Sequence, residues 1–183
     1  CDEKGWLMML DEIQTGMGRT GKPFAFQHFD LKPDVLTVAK ALGNGVPIGA
    51  CLAQGAAAGV MQPGKHGTTF GGGPLVASVA CHVVQRLLEP ERLAHVADQG
   101  NYLKAQLENL RKSCPRIVEV RGRGLMVGVE LDGDPAGVIQ ACAAQGLLIC
   151  KTGGNAVRLL PPLIVEPAHI DEAVGILSQV LKS

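Results

Sequence analysis

The sequence predicts an α/β chain, with a mostly parallel sheet in its first half and a smaller α+β layer in its second. Three observations carry this. Residues 6–10, 35–38 and 48–53 are short apolar runs bounded by Gly, Pro and Asn, the form of strands buried on both faces of a parallel sheet. Leu75, Val79, Val83 and Leu87 recur at four-residue spacing, the stripe of an amphipathic helix. Leu125, Val127, Val129 and Leu131 alternate with Met126, Gly128 and Glu130, which predicts a strand with two distinct faces.

The elements follow in order. The first three strands are the three apolar runs. Gly71-Gly72-Gly73-Pro74 then punctuates the chain and the helix of Leu75 to Leu87 begins. Glu89-Pro90-Glu91 resets it, with proline suited to a helix start. Leu93, Val96, Leu103, Leu107 and Leu110 form the stripe of a long second helix, weakened at Gly100. After the alternating strand come a helix over 136–145, short strands over 146–149 and 156–159, and a closing helix on Ile170, Val174, Leu177 and Leu181. The change of pattern places a boundary near Pro90, dividing residues 1–90 from 91–183.

Composition narrows the function classes. The 183 residues are 46% hydrophobic, enough for a sizeable core. Lys+Arg and Asp+Glu number 17 each, a balance that points to neither a nucleic acid nor a membrane surface. The apolar runs are far too short to span a bilayer. Six cysteines without a C-x-x-C pair, in mostly apolar stretches, read as reduced core thiols, and the five histidines do not cluster with them as zinc ligands would. The chain opens on Cys1 rather than Met and enters almost at once a buried-type strand, so it is expected to lack a natural N-terminal part.

The chemistry concentrates in two places. Asp11 and Glu12 stand where the first apolar run breaks into Gly16-Met17-Gly18-Arg19-Thr20-Gly21. Lys40 stands at the end of the second run, before Gly43-Asn44-Gly45. The glycines match G-x-G-x-x-G, but a dinucleotide loop must open a helix, and Lys22-Pro23-Phe24 follows instead. Asp11 reads either as a turn-former or as a buried carboxylate in need of a cation, for which a protonated pyridine nitrogen would serve. Lys40 reads either as a lysine snorkelling from a strand end or as a desolvated amine ready for Schiff-base chemistry. An acid and a lysine on neighbouring strand ends can together hold and tune an aldehyde cofactor. Thr68 and Thr69, in a Thr/Gly loop before a helix, read as an ordinary loop or as phosphate contacts. Arg158, inside an apolar strand, reads as a salt-bridge partner or as a receptor for a substrate carboxylate.

Taken together, the segments over 10–21, 40–50, 66–72, 121–126 and 157–163 resemble the class III pyridoxal-phosphate-dependent aminotransferases, most nearly the acetylornithine branch. The resemblance implies part of the large domain of a fold-type I transferase followed by its small C-terminal domain. It implies pyridoxal 5'-phosphate as cofactor, with Asp11 on the pyridine nitrogen, Gln14 on the phenolic-oxygen side, Glu12 and Ile13 beside them, and Lys40 holding the aldehyde and then moving the proton. It implies Thr69 on the phosphate of the neighbouring subunit's cofactor, Thr68 and Arg158 on the substrate, and a homodimer with shared sites in the cytoplasm. The implied reaction is transamination of N-acetylornithine with 2-oxoglutarate in arginine biosynthesis, with succinylornithine, ornithine or another ω-amino acid as alternative donors. Two departures stand out. Gly73 occupies the place of a usual Asn, and the family's N-terminal half, which carries most of the phosphate cup, is absent. Residues 1–183 alone are therefore expected to be poorly stable and inactive. The rivals are a nucleotide-binding oxidoreductase built on Gly16, Gly18 and Gly21, and a chain with only a structural or dimerising role.

Overall fold

A computed structural model describes residues 1–69 and 71–182. Phe70, within the expected Thr/Gly loop, lies outside the described residues. The chain divides into two compact units, Cys1–Leu93 and Ala94–Ser183.

The first unit is built on a three-stranded sheet of β1 (Met9–Asp11), β2 (Val35–Val38) and β3 (Ala50–Ala53), in that spatial order. β1 and β2 are parallel, with Met9, Leu10 and Asp11 opposite Val35, Leu36 and Thr37. β3 runs antiparallel to β2, so the sheet is mixed within this chain. The approach to β1 is held by the Asp34 carboxylate, which accepts the Met8 N–H at 2.8 Å. The first apolar run was expected to be a strand buried on both faces. Only its end is a strand, and Trp6 and Met9 are 68% and 69% exposed. All four residues of β3 are exposed as well. The reason is the same for both: β1 and β3 are the outer strands of this sheet, and each pairs on one side only. β2 lies between them and alternates half-buried with buried residues.

Helix α1 (Pro74–Leu87) starts with proline in its first turn and Gly73 as its cap. Gly73 offers no side-chain acceptor, where an asparagine would bond an unpaired N–H of the first turn. The buried face of α1 is Ala80 and Val83, flanked by Val84 and Leu87. Leu75, expected on that stripe, is 77% exposed. Four-residue steps overshoot the 3.6-residue turn, so a strict i, i+4 row drifts off the core face. The unit's core gathers Met17, Leu36, Val38, Leu42 and Ala80.

Helix α2 (Pro90–Ser113) continues into the second unit, which carries β4 (Ile117–Arg123), β5 (Met126–Leu131), α3 (Ala136–Ala144), β6 (Cys150–Lys151), β7 (Ala156–Leu159) and α4 (Pro167–Lys182). The sheet order is β4-β5-β7-β6, with every pairing antiparallel. β5 buries Val127, Val129 and Leu131 on one face, as its alternation requires. β4 was not expected from the sequence. Its pattern is broken by a register shift between Ile117 and Glu119, a bulge that lets both Ile117 and Val120 reach the core. The predicted strand over 146–149 is displaced to Cys150–Lys151. Of the six cysteines expected in the core, Cys114 and Cys142 are buried and the other four are exposed. Burial pushes the Cys142 thiol pKa up, away from reactivity.

Gly100 does not interrupt α2. It lies on the buried stripe with Val96, Leu103, Leu107 and Leu110. A Cβ there would stand 2.4 Å from the backbone carbonyl of Gly124 in the β4–β5 turn. The helix meets that turn backbone to backbone, and only glycine permits the approach.

Among the described residues no helix is long and apolar enough to cross a membrane, and no group of His, Cys, Asp and Glu is placed to hold a metal.

Two outcomes follow from the second unit. Gly100→Ala gains helix propensity but drives a methyl into the Gly124 backbone, so it is expected to destabilise by about 1–3 kcal/mol. An unchanged or raised urea midpoint would refute the contact. The Glu130 carboxyl is held below the usual carboxylate range, first by the hydrogen bond from Arg121, and Asp134 is held down first by Lys151. Both folded pKa values lie below their unfolded ones. Their contribution is therefore present above the ordinary carboxylate range and is lost as pH falls through the folded values, below about pH 4. Thermal melts across that range should drop more steeply for the parent than for Glu130→Gln; equal slopes would count against the linkage.

Candidate active site

The parallel register of β1 and β2 decides where the chemistry sits. Asp11 is the last residue of β1 and stands opposite Thr37, and Glu12 donates its N–H to the Thr37 carbonyl at 2.9 Å. Lys40 follows three residues after Thr37, two past the end of β2. Three residues of chain span at most about 10 Å and adjacent strands lie about 4.8 Å apart, so the two residues share one end of one strand pair. The carboxyl ends of parallel strands are where α/β sheets bind their ligands.

The two acids have opposite tasks. Asp11 is exposed, and its Oδ1 accepts the Ile13 N–H at 2.9 Å, which turns the chain out of the strand. Glu12 is the buried one, 3% exposed. Its carboxylate accepts the Thr15 hydroxyl at 2.5 Å and the backbone N–H groups of Ala25 and Phe26 at 3.0 and 2.8 Å. A buried carboxylate so satisfied is stable without a cation beside it. It closes the loop over 12–26 onto the end of β1 and so positions Asp11, Ile13 and Gln14. The burial expected at Asp11 thus belongs to its neighbour. Ile13 and Gln14 are half-buried within this loop.

The glycines of the loop are turn residues. Gly18 and Gly21 have φ of 84° and 86°, and a Cβ on Gly16 would lie 2.7 Å from the Glu12 carbonyl oxygen. The loop leads into extended Phe24 and a single 3₁₀ turn, Ala25–His28. With no helix N-terminus presented there, the dinucleotide reading of G-x-G-x-x-G fails on its own requirement.

Lys40 opens a 3₁₀ turn, Lys40–Leu42, with φ of 48°. Its carbonyl accepts the N–H groups of Gly43 and Asn44 at 3.1 and 3.2 Å. A positive φ at a residue with a Cβ costs on the order of 1–3 kcal/mol and gathers at functional sites. Lys40 is exposed, so the desolvation expected from Ala39, Ala41 and Leu42 is not supplied by packing within its own unit.

Thr68 and Thr69 lie on an exposed loop. The Thr68 hydroxyl accepts the Gly71 N–H at 3.1 Å, the bond of a local turn. Arg158 belongs to the second unit. It is half-buried on the outer face of β7, opposite Gly128 of β5 and Cys150 of β6, and lines a groove with Arg121, Met126 and Thr152. Sequence reasoning missed Glu12 as the loop's anchor and missed this groove. The signal for the groove was a glycine at an outward position of an alternating strand.

Comparison with known proteins bears on what this arrangement does. The family model described as "Aminotransferase class-III" matches residues 1–181. The "Acetylornithine aminotransferase 1" of Bordetella bronchiseptica is 51% identical over 183 residues, which is all of this chain and 46% of that protein. The acetylornithine aminotransferase of Bacillus subtilis is 48% identical over 181 residues, 99% of this chain and 47% of that protein. The chain thus spans about half the length of the curated relatives it matches. Among solved structures, the N-acetylornithine aminotransferase of Stenotrophomonas maltophilia superposes with a TM-score of 0.87 at 38% identity, over 100% of this chain and 48% of that one. The ornithine aminotransferase of Toxoplasma gondii gives 0.91 at 34% identity, over 100% and 44%. The fold is that of part of a fold-type I transferase. With a strand-end acid, a strand-end lysine and a family match along nearly its whole length, the chain belongs to the pyridoxal-phosphate-dependent class III aminotransferases.

Proposed function

We propose that the protein containing this chain transfers the δ-amino group of N-acetylornithine to 2-oxoglutarate, using pyridoxal 5'-phosphate. The observation that carries the reading is the β1–β2 register, which brings Asp11 and Lys40 to one end of one strand pair. The donor set suits the cofactor. It offers one exposed carboxylate for a cationic ring nitrogen and one exposed primary amine for an aldehyde. Bound there, the cofactor supplies an electrophilic carbon and a sink for the electrons of a broken C–H bond. Asp11 keeps the proton on the ring nitrogen. Glu12 holds the loop that presents Asp11, Ile13 and Gln14, with Gln14 toward the phenolic oxygen. Lys40 would hold the aldehyde end through Nζ and, once the substrate amine has taken its place there, would move the proton from the substrate carbon. Arg158 receives a substrate carboxylate, with Thr68 toward the substrate as well.

The donor assignment draws on the relatives named acetylornithine aminotransferase at about half identity. The fit to ornithine aminotransferases keeps ornithine as the second donor to test. We read the active protein as a cytoplasmic homodimer in which Thr69 reaches the neighbouring subunit's cofactor phosphate. The exposed loop that carries Thr68 and Thr69 is available for such a contact.

Two experiments test the reading. Borohydride reduction of the full-length protein with pyridoxal phosphate should fix the label on Lys40. Lys40→Ala should abolish it, and Asp11→Asn should lower kcat on the order of 10²-fold or more while retaining the label. A label elsewhere, or a fully active Asp11→Asn, would sink the site. With 2-oxoglutarate as acceptor, kcat/KM should be higher for N-acetylornithine than for ornithine or 4-aminobutyrate; the reverse order would reassign the donor.

A further inference from the structure

The outer face of the second unit's sheet carries a row of residues that proton transfer at Lys40 does not use. Arg121 of β4 stands opposite Gly128 of β5, and Gly128 stands opposite Arg158 of β7. Directly opposed residues project to one face, so the two arginines flank the glycine. Together with Met126, Thr152 and Gly153 the row lines a groove of about 380 Å³.

Nothing inside the chain requires glycine at 128. It is absent from the glycines with positive φ, and a Cβ there would meet no atom closer than 3.8 Å. Its neighbours on β5 are Val127 and Val129, and a β-branched residue would strengthen the strand. The methyl would enter the groove itself. The wall beside it is firmly set: Arg121 donates to Glu119 at 2.8 Å and to Glu130 at 2.7 Å, and Glu130 also accepts the Asn155 N–H at 3.3 Å. Arg121 is thereby charge-balanced and tied to the turn between β6 and β7.

We propose that Gly128 is a specificity-determining residue, whose missing side chain opens the floor of this groove to the carboxylate end of the substrate beside Arg158. Arg121 is a positioning residue that holds the groove's wall. The inference rests on the reading that Arg158 receives a substrate carboxylate, and it adds the space that the carboxylate occupies.

The test uses the full-length holoenzyme and glutarate, a dicarboxylate with neither amine nor keto group, titrated calorimetrically. Gly128→Val should raise the glutarate Kd more than tenfold and raise the KM for 2-oxoglutarate in step. The cofactor absorbance should be unchanged and the thermal midpoint equal or higher, because valine favours the strand. Should Gly128→Val fail to fold, Gly128→Ala carries the test with an expected rise of about threefold. Unaltered glutarate binding in the variant that folds overturns the inference. Arg158→Met separates the two readings. Weakened binding there beside a normal Gly128 variant overturns the groove alone, whereas unaltered binding in both overturns the Arg158 reading with it.

Discussion

The hydrogen-bonded register between two short parallel strands is the constraint on which the site depends. Asp11 opposite Thr37 fixes which residues of two separate segments reach the same sheet end. A slip of one residue would turn Asp11 to the other face and put Leu10 in its place. The Glu12 N–H to Thr37 carbonyl bond extends the ladder one step past the strand, into the loop that carries Ile13 and Gln14. The register therefore sets the place of Asp11 directly.

Around that register the residues divide by burial. Asp11 and Lys40 are exposed and available to a ligand, while Glu12, Met17, Gly18 and Thr20 are buried and hold the loop's shape. Glu12 does so through its carboxyl oxygens, whose three bonds bring Thr15, Ala25 and Phe26 back to the end of β1. Lys40 is held by its backbone. The φ of 48° and the two bonds accepted by its carbonyl wind residues 40–44 into a compact turn, and a Cβ on Gly43 would stand 2.1 Å from the Val46 carbonyl oxygen. The lysine is thus placed by a strained turn that its glycine neighbour makes possible.

The second unit divides its core from its arginine-lined groove by the two faces of one sheet. Val127, Val129, Val157 and Leu159 face the core with the stripes of α2 and α4. Arg121, Gly128, Glu130 and Arg158 face outward. The bulge at Val118 reconciles these demands in β4, since without it Ile117 and Val120 would project to opposite faces. Arg121 keeps its place on the outer face because one residue of β4 is left out of the ladder.

The sequence by itself determined the α/β class, β2, β7, the extents of α1 and α4, and the pair Asp11 and Lys40 as residues of interest. Periodicity and composition are local properties, and these features are local. Tertiary structure decided what depends on a distant partner. Residues 6–8 are as apolar as a buried strand, yet burial requires a neighbour on each side, and β1 has one. Asp11 and Glu12 are adjacent and chemically alike, and only the fold back of Ala25 and Phe26 tells which of them is buried. Gly100 reads as a helix flaw until the backbone of Gly124 is found against it. Gly128 reads as a gap in an alternating strand until register places an arginine on either side.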